Sequence, residues 1–160
     1  MTVKRTLDLL VNQRFLTKKK VKNQILYKAN MNSAAFKHFK IAYNLAWLEE
    51  KGVVKIIRTT MKNVRTILLF GSYAKGENDA KSDVDLLVIS RDKQTPDLAE
   101  LHLAERLEHL GRDWLDLGRE VNLLNFSITE WSRQAKENRA LYLDVITEGI
   151  VLYGTRPVVE

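Results

Sequence analysis

The sequence TILLFGSYAKG at residues 66–76, followed by SDVDLLVI at residues 82–89, decides the fold of this chain. Two apolar runs of strand length flank a Gly-Ser corner, and the second run begins with two acids spaced two residues apart. Successive side chains of a strand alternate between its faces, so Asp83 and Asp85 would share one face. We therefore predict two neighbouring strands with a pair of carboxylates at the start of the second.

The two acids and the corner predict a site for a metal and a phosphate. Carboxylates held this close repel each other unless a cation lies between them, and Mg²⁺ prefers oxygen ligands of this kind. Gly71 permits a tight turn, and a helix that begins near Ser72 would direct free N–H groups at an anion. Such a site is suited to the transfer of a phosphoryl or nucleotidyl group. A lone Asp-x-Asp, by contrast, is typical of a solvated strand end.

Residues 64–90 resemble the minimal, single-domain members of the DNA polymerase β-like nucleotidyltransferase superfamily. The resemblance rests on the signature Gly-Ser, ten residues, Asp-x-Asp. It implies an α/β (α+β) fold in which a small mixed β-sheet is flanked by helices, which we expect mainly on one face. It also implies that Asp83 and Asp85 are catalytic ligands of two Mg²⁺ ions. The nucleotide, ATP or another NTP, would be held by the residues of the corner and its surroundings, Gly71, Ser72, Lys75 and Ser82.

A third acid is missing from its usual place. The superfamily takes a further carboxylate from a neighbouring strand, in a pattern like Val-Asp-Leu-Val, and the matching stretch here is VNLL at residues 121–124. Asn122 therefore stands where the acid would be, and an amide cannot act as a general base. Glu120, two residues away on the same strand face, is the remaining candidate for a catalytic carboxylate. Its alternative role is that of a surface partner for a neighbouring arginine.

The resemblance implies a Mg²⁺-dependent enzyme that transfers a nucleoside monophosphate, AMP from ATP, to a hydroxyl of a protein or RNA. Minimal nucleotidyltransferases include antitoxins paired with HEPN-type toxins, so such a toxin is an expected partner. The chain is too short to contain the substrate-reading subdomains of larger enzymes, and we expect a homodimer or a hetero-complex. Asn122 leaves a second hypothesis open, a catalytically degenerate module that binds DNA or a toxin.

Charge is distributed unevenly along the chain. Residues 1–70 carry 15 Lys/Arg against three acids, and residues 71–160 carry 11 Lys/Arg against 17 acids. The halves therefore have net charges of +12 and −6, which sum to the overall +6. The basic half is suited to DNA or, equally, to the acidic half of a second copy. The lysines at positions 18–20 could contact DNA or protect an edge strand from aggregation.

Helix and strand signals place this site within a larger domain. Residues 2–15 predict a helix and residues 16–29 a basic hairpin, a pair that resembles part of the winged-helix regions of archaeal nucleotidyltransferases. Residues 33–51 predict a long helix whose aromatic residues we assign mainly to the core, and residues 53–58 predict helix or strand, with helix favoured. Further elements are expected as strands at 64–70, 83–90 and 119–126 and as helices at 72–76, 97–110, 127–136 and 140–148.

The domains predicted from these signals are a partial winged-helix-like unit at residues 1–30, a nucleotidyltransferase domain at residues 31–154 and a loose tail at residues 155–160. The helices at 33–51 and 97–110 carry more apolar residues than one core-facing stripe needs, so both are candidates for contact with a partner. The chain has no cysteine, no signal-peptide pattern at its start and no apolar run near ~20 residues. We therefore expect a cytoplasmic protein without a membrane segment.

Overall fold

The computed structural model describes residues 2–93 and 120–159. Its elements, in chain order, are α1 (Val3–Asn12), β1 (Leu16–Val21), β2 (Gln24–Ala29), α2 (Ala34–Glu50), α3 (Val53–Thr60), β3 (Val64–Phe70), α4 (Gly71–Lys75), β4 (Val84–Ser90), β5 (Val121–Ser127), α5 (Ile128–Glu137), α6 (Arg139–Glu148) and β6 (Ile150–Tyr153). The helix expected at 97–110 and residues 94–96 of the loop expected at 91–96 lie outside the described residues.

A four-stranded sheet in the order β5-β4-β3-β6 forms the centre of the domain. The β3–β4 and β3–β6 pairs are antiparallel and the β4–β5 pair is parallel, so the sheet is mixed, as predicted. Both inner strands are continuous apolar runs, with 67–70 and 86–89 buried. Such runs are typical of strands that are covered on both faces.

Helices cover both faces of this sheet. On one face Leu48 of α2 and Ile57 of α3 pack in a core that includes Leu69. On the other face Trp131 of α5 and Val145 of α6 pack in a second core that includes Leu68. The expectation that helices lie mainly on one face is therefore wrong. The reason is that β3 and β4 present apolar side chains on alternate faces, and each face gains stability only when it is removed from water.

The segment after α2 is helical, which confirms the structure favoured for it. Gly52 adopts a positive φ of 69° between α2 and α3, where a residue with a Cβ would be strained. Val53, Ile56 and Ile57 are the buried residues of α3, and their spacing places them on one side of a helix. Burial of this side on the sheet outweighs the weak helix propensity of β-branched residues.

The N-terminal helix and basic hairpin form as predicted. β1 and β2 pair antiparallel around a turn at Lys22, whose φ is +52°. Asp8 of α1 accepts hydrogen bonds from Lys18 at 2.9 Å and from the Tyr27 hydroxyl at 3.3 Å, which fixes α1 on one face of the hairpin. Phe15 joins the unit to α2 through edge-on ring contacts. The likeness of this unit to a winged helix stays a prediction.

Two finer expectations are wrong. The tail is not loose, because the Trp131 indole donates to the Pro157 carbonyl at 2.7 Å and Arg156 donates to the Gly149 carbonyl at 2.8 Å. Carbonyl groups at the end of a helix lack partners within that helix, and Arg156 satisfies those of α6. The aromatics of α2 are not all core, since Phe39 and Tyr43 are 61% and 65% exposed. Within the described ranges, no helix has the length and apolar character needed to cross a membrane.

Candidate active site

Three neighbouring strands bring the Gly-Ser corner, Asp85 and Asn122 together at one end of the sheet. Phe70, the last residue of β3, pairs with Asp85 of β4, and Asp85 pairs in turn with Asn122 of β5. The Gly-Ser corner follows Phe70 directly, so the corner, the acids and Asn122 lie side by side. Phe70 and Asp85 lie on the face of the sheet that α5 and α6 cover.

Gly71 makes the close approach that its position suggested. Its φ is +66°, and a methyl group at this residue would overlap Oδ2 of Asp85 and come within 3.1 Å of the carboxyl carbon. The backbone at the start of α4 is therefore held directly against the Asp85 carboxylate. A side chain at this position would be strained by the backbone conformation and would displace the carboxylate.

Asp85 is an electrostatically unfavourable carboxylate. Burial raises the pKa of Asp85, and the charges of Asp83 and Asp144 raise it further, whereas a hydrogen bond from Asn122 lowers it. That bond runs from the Asn122 side-chain amide to Oδ1 of Asp85 over 3.0 Å. Asn122, which occupies the position of the expected third acid, thus stabilises the ionised form of Asp85 by donating a hydrogen bond. It does not supply a third carboxylate.

Asp144 is the site residue that sequence analysis missed. It lies on α6, far from Asp85 in the chain, and its carboxylate forms an ion pair with the ammonium group of Lys75. The Asp144 hydrogen bond is the main cause of the raised pKa of Lys75. No motif surrounds Asp144, and it is an ordinary acid on the exposed side of a helical pattern, so the sequence offered no signal for it.

The other predicted residues occupy different surroundings. The Ser82 hydroxyl accepts from the Asp79 N–H at 2.8 Å, which ties it into the loop before the acids. Glu120 is exposed and directly precedes β5. Its backbone carbonyl accepts a hydrogen bond from the Val84 N–H at 2.9 Å, next to the paired acids. Ser72 is half-buried at the start of α4. No contact of Glu120 or Ser72 with the paired acids is seen, and the roles of all three residues stay predictions.

Helix α2 holds α4 in position through a buried amide. The side-chain amide of Asn44 donates to the Tyr73 carbonyl and to the side-chain oxygen of Asn78, both at 2.9 Å. Trp47 stacks on the Tyr73 ring with centroids 6.1 Å apart. Gly76 allows α4 to end against the α2 backbone, because a methyl group there would overlap the Lys37 carbonyl. Asn44 was not among the predicted site residues, although a polar residue within an apolar helical stripe is a signal for such a role.

The donor set at this site fits a divalent cation of the Mg²⁺ type. Within residues 2–93 and 120–159, no group of three or more His, Cys, Asp or Glu residues is placed to hold a metal. The protein offers two adjacent carboxylates, one of them with an unfavourable charge that a cation would relieve. Mg²⁺ is commonly bound by one or two carboxylates, with water and substrate phosphates as its other ligands.

Comparisons with known proteins match this chain to one family. The model of the family described as "Polymerase beta, Nucleotidyltransferase" matches residues 53–157. The chain is 29% identical over 109 residues to the protein adenylyltransferase MntA of Shewanella oneidensis, and the alignment covers 68% of each chain.

Two solved structures are also similar to this chain. One is described as a toxin-antitoxin with AMP-PNP, at 30% identity and a TM-score of 0.47, covering 68% of this chain and 74% of that one. The other is described as the Y104A mutant of the toxin-antitoxin MntA-HpeT, at 27% identity and a TM-score of 0.45, covering 67% of this chain and 73% of that one.

Proposed function

Since this chain belongs to the polymerase β nucleotidyltransferase family, we propose that it transfers AMP from ATP to a hydroxyl group of a protein, with Mg²⁺ as its cofactor. The observation that carries the proposal is the contact between the Gly71 turn and the Asp85 carboxylate. This contact supports the proposal, because the start of α4 offers backbone N–H groups for phosphate next to carboxylates that could hold the metal, and the proposed transfer requires both.

Each residue of the site has a proposed role. Asp83 and Asp85 would hold the two Mg²⁺ ions, and Asn122 would keep Asp85 ionised and oriented through its 3.0 Å hydrogen bond. Ser72 and the neighbouring N–H groups would bind the β- and γ-phosphates, with Ser82 shaping the loop beside them. When bound, the metal ions neutralise charge on the α-phosphate and on the leaving pyrophosphate.

The proposed reaction balances without a further reactant. The oxygen of the acceptor hydroxyl bonds to the α-phosphorus of ATP, and the bond from that phosphorus to pyrophosphate breaks. The hydroxyl proton needs an acceptor, and Asn122 cannot take it because an amide is not a base at neutral pH. We propose that the Glu120 carboxylate, directly before β5, accepts this proton.

We propose a protein as the acceptor because the curated relative MntA carries the name of a protein adenylyltransferase. A HEPN-type toxin is the specific candidate, and an RNA hydroxyl is the alternative acceptor. The acceptor complex would use the outer side of α2, where Phe39 and Tyr43 lie one helical turn apart and are mostly exposed. Exposed aromatic pairs of this kind are enriched at protein interfaces.

Labelled ATP tests the proposal directly. The protein is incubated with Mg²⁺, ATP labelled at the α-phosphate and an extract of its own host, and the product is then treated with protease or with ribonuclease. We expect the wild type to produce a labelled macromolecule that protease degrades and ribonuclease leaves intact. We expect no labelled macromolecule with Asp83→Asn or Asp85→Asn. Label that only ribonuclease removes would assign the acceptor to RNA. Equal labelling by the wild type and both variants would refute the proposed site.

Asn122 favours a second candidate function, a degenerate module that binds a toxin or DNA without catalysis. Binding of DNA would use the hairpin lysines, of which Lys19, Lys20 and Lys22 are exposed. Calorimetry with Mg²⁺ and AMP-PNP separates the two functions. The degenerate module predicts no Mg²⁺-dependent nucleotide binding, whereas the transferase predicts binding that Asp85→Asn abolishes. The cytoplasm, with its ATP and Mg²⁺, is the proposed location in either case.

A further inference from the structure

The ion pair between Lys75 and Asp144 joins two helices across the candidate site. Lys75 is the last residue of α4, the helix that begins at the Gly71 corner, and Asp144 lies in the second half of α6. Both side chains are about one-third exposed, at 32% and 31%, so solvent and solutes can reach the pair. The ammonium group is therefore accessible to a ligand but is already held by a carboxylate.

The Lys75–Asp144 pair lies near the two acids, because α4 begins at Gly71, which contacts Asp85, and α6 packs on the same face of the sheet as Asp85. Asp144 is close enough to Asp85 for its charge to act on that carboxyl group. The two charged groups that raise the pKa of Asp85, Asp83 and Asp144, are both acidic. The positive charge of Lys75 is thus directed at Asp144 and not at the carboxylate pair.

A bound triphosphate would compete for the same ammonium group. A carboxylate and a phosphate present similar oxygen acceptors to a lysine, and the phosphate group carries the larger charge. From this geometry we propose that Lys75 is a nucleotide-positioning residue that exchanges Asp144 for a phosphate oxygen of ATP, so that Asp144 acts as an internal competitor of the nucleotide. This inference rests on the proposed function, since it requires that Mg²⁺ and ATP bind at the Asp83–Asp85 site.

A double-mutant cycle measured by nucleotide affinity tests the exchange. The dissociation constant of AMP-PNP with Mg²⁺ is measured by calorimetry for the wild type, Asp144→Asn, Lys75→Met and the double variant. Asp144→Asn leaves Lys75 without its competing carboxylate, so we expect AMP-PNP to bind roughly 2- to 5-fold more tightly, the range that a partly exposed ion pair supplies. Lys75→Met should weaken binding, and in its background Asp144→Asn should tighten binding by a smaller factor than it does in the presence of Lys75.

The opposite results would separate competition from other roles of Asp144. If Asp144→Asn tightened binding equally with and without Lys75, Asp144 would act by general repulsion and the exchange would be refuted. If Asp144→Asn weakened binding, Asp144 would support the site structurally, which also refutes the exchange. Asp144→Glu restores a carboxylate and should return the affinity toward that of the wild type. Failure of this rescue would count against the proposal even if Lys75→Met did not fold.

The matched control is the Asp8–Lys18 ion pair in the N-terminal unit, with Lys18 48% and Asp8 33% exposed. Asp8→Asn removes the same kind of pair away from the site and should leave nucleotide affinity unchanged. The readout also distinguishes this inference from the proposed function. Absence of any Mg²⁺-dependent AMP-PNP binding by the wild type would remove both, whereas normal binding with an additive cycle would remove the exchange alone.

Discussion

Replacement of Gly71 by alanine tests the packing on which the site depends. Two effects add in this variant. A φ of +66° is unfavourable for a residue with a Cβ by about 1–2 kcal/mol. The new methyl group also overlaps Oδ2 of Asp85, so the carboxylate must turn away and lose its 3.0 Å bond to Asn122, at a cost of about 1 kcal/mol. We therefore expect Gly71→Ala to lower the free energy of unfolding by about 2–3 kcal/mol.

Urea denaturation in the presence of EDTA measures this change, and a second background separates its parts. In Asp85→Ala the overlapping oxygen is absent, so Gly71→Ala should cost only the backbone contribution of about 1–2 kcal/mol. Calorimetry with Mg²⁺ and AMP-PNP should show that Gly71→Ala alone abolishes binding, because the carboxylate has moved. An equal loss of stability in the two backgrounds would refute the packing argument.

Gly52→Ala is the matched control for backbone strain. Gly52 has a φ of +69° and lies between α2 and α3, on the other face of the sheet from Asp85. This variant should lose about as much stability as the backbone contribution at Gly71, yet it should keep its affinity for AMP-PNP. Loss of nucleotide binding in Gly52→Ala would mean that general destabilisation, and not the Gly71–Asp85 contact, explains the effect at the site.

Three further predictions follow from particular contacts. Asn122→Asp places a carboxylate beside Asp85, so it should lower the melting temperature in EDTA and increase the stabilisation that Mg²⁺ gives. Differential scanning fluorimetry detects both changes, and unchanged values would place Asn122 outside the metal site. Burial raises the pKa of Asp85 in the folded protein above its pKa in the unfolded chain. The raised pKa therefore contributes its full stability below the unfolded-state pKa, where Asp85 is protonated, and this stability is lost as the pH rises through the folded-state pKa. Melting curves in EDTA should show Asp85→Asn gaining stability relative to the wild type as pH increases from about 4 to 7, and a constant difference would contradict this. Arg156→Ala leaves carbonyl groups at the end of α6 without a donor, so urea denaturation should show a loss of about 1–2 kcal/mol, against little change for Arg133→Ala on the surface of α5.

The sequence was sufficient for the parts of the fold that local patterns determine. The Gly-Ser corner, the paired acids and the apolar runs beside them predicted β3, α4 and β4, because turn chemistry and strand alternation act over a few residues. Asn122 was identified as the neighbour of the acids through the family pattern, and the β4–β5 register places it against Asp85. These predictions required no knowledge of how distant elements pack.

The features that the sequence did not predict depend on packing between distant segments. Asp144 reaches the site because α6 packs on the same face of the sheet as Asp85, and no pattern near Asp144 records this. The order of the tail depends on donors and acceptors from α5 and α6, such as the Trp131 indole. The exposure of Phe39 and Tyr43 could not be separated from core burial, since periodicity identifies an apolar face but not what covers it.

Equilibrium binding of Mg²⁺ and AMP-PNP to the wild type and to Asp85→Asn tests the central claim most directly. The claim is that the Gly71 corner and the Asp83–Asp85 pair form one site for a metal-bound nucleotide. Calorimetry should show binding to the wild type that requires Mg²⁺ and that disappears in Asp85→Asn, although this variant remains folded. Nucleotide binding that is equal in both proteins, or absent from the wild type at saturating Mg²⁺, would contradict the claim.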